Sequence, residues 1–133
     1  MTLNEYLSNV TGYGILATAD REGRVDAAIY SKPHTLKDGT LAFIMRDHLT
    51  YHNISENPHA NYLFIEDGPG YRGIRLFLKK VREENDPALA DKMTRRHLTP
   101  EEDRARGPKY VVCFSLEKIL PLIGSGSPGI DTP

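Results

Sequence analysis

The chain has 133 residues, 39% hydrophobic and 26% charged, enough to build one globular domain around its own core and too apolar for a disordered chain. Seventeen Lys and Arg stand against eighteen Asp and Glu, a formal charge of −1, so no basic field marks a nucleic-acid partner. The apolar runs are too short for a membrane-spanning helix. Cys113 is the single cysteine, which excludes an internal disulfide and a multi-cysteine metal site.

In chain order, Leu3, Tyr6, Leu7 and Val10 fall at helical spacing, with Thr2 and Glu5 placed as a capping box. The opening MTLNEYLSNV lacks a basic stretch followed by an apolar one, so no secretory signal is expected and the chain reads as cytoplasmic. Gly14 to Ala19 reads as a strand, Asp20 to Gly23 as a hairpin turn, and Arg24 to Ser31 as the returning strand, disturbed at its end by Pro33. Lys37-Asp38-Gly39 marks a second turn before a third strand, Leu41 to Met45. A short helix from Leu49 is stopped by Asn57-Pro58. Asn61 to Glu66 returns to strand, and Asp67 to Gly70 is a loop. Tyr71 to Val81 alternates, with Ile74, Leu76 and Leu78 sharing one face. Asp86-Pro87 opens a helix running to about His97, and Thr99-Pro100 caps another. Lys109 to Leu116 and Lys118 to Ile123 predict one long or two short closing strands. Residues 1–123 form the expected single domain, and 124–133 hold too few apolar side chains to pack, so they read as a flexible tail. Adjacent hairpins without intervening helices predict a mainly β protein, a small closed antiparallel barrel of about six strands plugged by short helices.

Three segments, GILATADREGRVDAAIY (14–30), DGTLAFIM (38–45) and HLTYHNISENPHANYLF (48–64), carry a likeness in their order and spacing. Together they resemble the pyridoxamine 5'-phosphate oxidase-like FMN-binding split-barrel family. The resemblance implies a six-stranded Greek-key barrel that forms a homodimer, with FMN held at the subunit interface. Carried over by position, Ala28, Ile29, Tyr30 and Ser31 would run along the isoalloxazine ring, with Met45 and Arg46 flanking it. His48, Leu49 and Thr50 would receive the phosphate, and Asn53 would stand one helical turn on. A phosphate needs backbone N–H groups, hydroxyls and cations, and Arg46, His48, Thr50 and His52 offer them in one stretch. Many relatives place a lysine or arginine beside the threonine where this chain has Leu49, which transfers the cationic share to Arg46, with His48 or His52 assisting.

Blander readings stand beside these. Thr50 serves equally as a helix cap, Met45 and Phe43 as core, and Tyr30 and Tyr62 as half-buried sheet residues. His48-x-x-x-His52 has metal-ligand spacing but lacks the Glu of the zinc-protease pattern and sits beside Arg46, so no metal is expected. Arg95, Arg96 and His97 interleave downstream with Glu101, Glu102 and Asp103, as on a solvated face. Cys113, in an apolar strand, reads as a small hydrophobe, and no acid–base dyad can be assembled. The function expected is that of a small flavin-dependent oxidoreductase, whose redox chemistry is the cofactor's and whose small-molecule substrate or electron donor is unnamed. The rival readings are a flavin- or haem-binding carrier or stress protein without turnover, and a ligand-binding barrel that uses no flavin. The C-terminal segment with which true pyridoxamine-phosphate oxidases hold substrate is not visible, so that activity is not expected.

Overall fold

The two expected hairpin corners set the first half of the fold. In a computed structural model, which describes residues 1–93 and 99–131, Asp20 Oδ1 accepts the N–H groups of Glu22 and Arg24, each at 2.9 Å. Gly23 takes the left-handed φ of +83° that closes this turn. At the second corner Asp38 Oδ1 accepts the Thr40 N–H at 3.1 Å, and Gly39 lies at φ +85°.

The elements run α1 (Leu3–Asn9), β1 (Gly12–Ala19), β2 (Val25–Tyr30), β3 (His34–Thr35), β4 (Leu41–Arg46), α2 (Leu49–Glu56), β5 (His59–Glu66), β6 (Gly73–Glu84), α3 (Pro87–Met93), α4 (Pro100–Ala105) and β7 (Lys109–Pro121). The strands form one sheet in the order β2-β1-β5-β6-β7-β4-β3, with every neighbouring pair antiparallel. There are seven strands rather than the six expected from sequence. Pro33 has no N–H to continue a ladder, and past it the chain leaves β1's side of the sheet and pairs His34 and Thr35 with β4. The closing segment is one 13-residue strand that pairs with both β6 and β4.

The sheet curls until its two ends face each other. The Tyr30 ring on β2 meets Phe43 on β4 edge-on at 6.0 Å, and the Tyr62 hydroxyl donates to the Tyr30 carbonyl at 3.0 Å. No ladder joins β2 to β3 or β4 among the described residues, so the barrel is split along that seam. Its interior holds Leu16, Leu41, Phe43, Met45, Tyr62, Phe64, Leu76 and Phe114, closed at one end by Leu3, Tyr6 and Leu7 of α1. The expected face of β6 is the buried one: Ile74, Leu76 and Leu78 are all at most 1% exposed. Gly14 is required by packing, because a Cβ there would lie 2.0 Å from the Tyr62 hydroxyl oxygen. A smaller apolar layer, Ala42, Val111 and Cys113 under Ala90 and Met93 of α3, covers the outer side of β4 and β7.

The caps read at Thr2 and Thr99 are present, Thr2 accepting the Glu5 N–H and Thr99 that of Glu102, whereas Thr50, also read as a cap, lies inside α2, whose cap position is His48. Helix α3 is described to Met93, and the basic run at Arg95, Arg96 and His97 lies outside the described residues. In the closing segment Asp131 bridges to Thr2: the Leu3 N–H donates to its carbonyl at 3.1 Å, and its own N–H donates to Met1 O at 2.9 Å.

Candidate functional site

The seam leaves a cavity of about 420 Å³ between the free edge of β2 and the outer side of β4, a size suited to a cofactor or a drug-sized ligand. Strand β2 and the link after it give Ala28, Ile29, Tyr30, Ser31 and Lys32; β4 gives Ala42, Phe43, Ile44 and Arg46. His48 and Thr50 close it at the start of α2, Met93 projects from α3, and Arg106 and Lys109 follow α4. One wall is therefore sheet, and the other is two short helices and the turn after them.

The sheet wall presents Ala28, Ile29, Tyr30, Ala42, Phe43 and Ile44 among polar neighbours. Tyr30 is half-buried against Phe43. Burial pushes its phenol above the usual range, a rise partly offset by a hydrogen bond from the Thr50 hydroxyl. Thr50 is itself buried, so its hydroxyl orients Tyr30 while the N-terminal turn of α2 faces the cavity. His48 occupies the cap position of α2 without making a side-chain cap bond.

The rim is cationic. Arg46 spreads its fork over the turn after α4, donating from Nη1 to Gly107 O at 2.7 Å and to Asp103 O at 3.3 Å, and from Nη2 to Asp103 Oδ1 at 2.6 Å. Lys109 reaches Asp103 Oδ2 and Asp91 Oδ1, both at 2.9 Å. These contacts hold the Asp103 carboxyl below its ordinary range, Lys109 first and Arg46 second. Burial alone would lower the Lys109 pKa, but the bonds to Asp103 and Asp91 outweigh it and the net shift is upward. Lys32 lines the cavity with its stem while its ammonium donates to Leu7 O at 2.6 Å and to Val10 O, serving the C-terminus of α1.

Of the residues singled out from sequence, Ala28, Ile29, Tyr30, Ser31, Arg46, His48 and Thr50 meet in this cavity. Four others do not line it. Met45 points into the core and is fully buried. Leu49 is 58% exposed on α2. His52 is exposed and paired with Asp47 through Nε2 at 2.9 Å. Asn53 is buried, donating from Nδ2 to Thr18 Oγ1 at 3.1 Å and so pinning α2 to β1. Sequence reading missed Arg106 and Lys109, which lie about sixty residues from Arg46 along the chain and carry no local motif; the helix around Met93 was expected to close the site from a partner chain, whereas Met93 lines the cavity of its own chain. His34, which lines the cavity from β3, could have been found, since Pro33 already disturbs the end of β2 and marks the switch that brings it to β4.

No protein-family model matches the chain, nor does any curated protein sequence. Solved structures do match in shape. The HupZ protein of Group A Streptococcus superposes with a TM-score of 0.73 at 19% identity, covering 97% of this chain and 100% of that one. An FMN-binding protein from Syntrophomonas wolfei gives 0.68 at 19% identity, covering 88% and 81%. A putative pyridoxamine 5'-phosphate oxidase from Lactobacillus delbrueckii gives 0.64 at 18% identity, covering 90% and 93%. At such identities the likeness is one of fold, and it defines the class: the chain has the split-barrel architecture of FMN-binding and pyridoxamine 5'-phosphate oxidase-like proteins.

Proposed function

We propose that the chain binds FMN in the seam cavity and works as a small flavin-dependent oxidoreductase. The observation that carries the reading is a cavity that sets Ala28, Ile29, Tyr30, Phe43 and Ile44 of the sheet against a rim that gathers Arg46, Arg106 and Lys109 beside the start of α2. A flat, largely apolar ring suits the Ala28–Ser31 edge and Ile44; a phosphomonoester suits cations and the backbone N–H groups of a helix start. Split-barrel structures that match this chain include one described as FMN-binding and one as an F420 reductase, which supports a flavin or flavin-like ligand. Bound there, the flavin would supply the electron or hydride chemistry, while the chain orients the ring and neutralises the phosphate. Tyr30, kept neutral by burial, would present its ring without adding charge.

The open side of the cavity supports a homodimer. Ile29, which lines it, is 71% exposed, and Val25 on the same outward row of β2 is 82% exposed. Tyr13 on β1 adds another large apolar side chain, 52% exposed. A second copy laid over this row would cover the apolar side chains and shield the ring.

Titration with FMN and riboflavin, followed by flavin fluorescence, tests the reading. Arg46→Ala should weaken FMN by about 1.5–3 kcal/mol, the range for hydrogen bonds to charged groups, and leave riboflavin nearly unchanged. Equal losses for both ligands would mean that Arg46 shapes the cavity generally and that the phosphate lies elsewhere. Reduction of the bound flavin by NADH or NADPH separates an oxidoreductase from a carrier, and sedimentation of the same sample reads the dimer.

A further inference from the structure

Asp103 is held by two cations that line the cavity. Its two carboxylate oxygens are divided between two cations of the cavity rim, Oδ1 to Arg46 and Oδ2 to Lys109. The three side chains are largely screened from water, 18%, 11% and 25% exposed for Arg46, Lys109 and Asp103. Such a bidentate, two-cation seat is the donor arrangement that recognises a phosphomonoester. Yet Arg46 and Lys109 are already matched by Asp103 and Asp91, so an incoming dianion must compete with a resident carboxylate for both. No residue of the helix that carries Asp103 is buried.

We propose that Asp103 is a resident counter-anion, and that a phosphate-bearing ligand takes Arg46 and Lys109 from it, releasing α4 from the rim. The inference rests on the phosphate reading of this cavity and adds how the site selects. A phosphomonoester brings close to two charges and three acceptor oxygens near neutral pH, against one charge and two oxygens from Asp103. A neutral or singly charged ligand of the same shape gains no such advantage, so the exchange discriminates for the dianion. The displaced carboxylate is not stranded, because α4 faces water and an exposed charge is readily solvated. Arg46 keeps a hold on the turn through Gly107 O while its second nitrogen changes partner.

Two measurements test the exchange. Asp103→Asn keeps the side chain's size and removes its charge; FMN should bind about tenfold tighter to it than to the wild type, with riboflavin unchanged. In the wild type, saturating FMN should speed hydrogen exchange at the Asp103, Arg106 and Gly107 amides, which donate to Thr99 O, Asp103 O and Arg104 O, whereas riboflavin should not. If Asp103→Asn does not fold, the wild-type exchange rates decide alone. FMN affinity unchanged or reduced in Asp103→Asn, or α4 amides slowed by FMN, would overturn the exchange; a continued FMN-selective loss in Arg46→Ala would then leave the phosphate reading standing. Wild-type protein that treats FMN and riboflavin alike, with Arg46→Ala indifferent to both, would remove the phosphate reading and the exchange together.

Discussion

Helices α1 and α4 are nearly the same length and both open on a threonine cap, but they are held to the sheet by different forces. Helix α1 buries Leu3, Tyr6 and Leu7, each at most 7% exposed, and forms the end of the core. Its C-terminal carbonyls are served by Lys32, and its Tyr6 hydroxyl donates to Glu66 Oε2 at 2.6 Å. Burial, then Glu66, drives the Tyr6 phenol far above its ordinary range. Helix α4 buries nothing and is tied down through Asp103 and the turn that follows it. The difference separates a helix held by burial from one held by charge.

Three measurements sharpen that contrast. Leu3→Ala should have the largest effect, lowering stability by about 2–5 kcal/mol, since it deletes a fully buried side chain from the barrel's end. Chemical denaturation reads it, and a change below 1 kcal/mol would mean that α1 lies on the core without being part of it. Lys32→Met should cost about 1.5–3 kcal/mol by removing charged hydrogen bonds to the α1 carbonyls, and should leave the α4 amides exchanging as before.

The smallest effect is acid loosening of α4. Because Asp103 has its pKa lowered in the folded protein, by Lys109 and then Arg46, its contribution is present above the ordinary carboxylate pKa near 3.8 and is lost as pH falls through the folded value. Amide exchange in α4, corrected for its intrinsic pH dependence, should therefore quicken relative to α1 as pH drops below about 4. Asp103→Asn should abolish that difference. A parallel response in both helices would erase the contrast.

Periodicity found what packing controls and missed what distant charges control. The alternation of β6, the capping box of α1, both hairpin corners and Pro100 at the start of α4 are local signals, each readable over a few residues. The family likeness placed Ala28 to Ser31, Arg46, His48 and Thr50 together because these lie on one continuous stretch that folds around the seam. The family likeness sets Met45 and Arg46 both beside the ring, but successive residues of a strand face opposite ways, so Met45 enters the core, its blander reading, and Arg46 the cavity. Asn53, by helical spacing, faces β1 and bonds Thr18. Lys109 and Asp103 became site residues only through pairing of β7 with β4, where Arg46 sits opposite Lys109, a register that no local pattern encodes.

That same pairing bears on how the chain is made. Strand β4 carries Leu41, Phe43 and Met45 into the core, yet its long partner is β7, so the ladder cannot zip until some seventy further residues have been added. At roughly 5–20 residues per second of synthesis, β4 waits several seconds with an apolar face and an unmatched edge. An exposed apolar face and an unpaired edge are the features that make an unfinished chain prone to aggregate, so the hazard of synthesis is concentrated between β4 and β7.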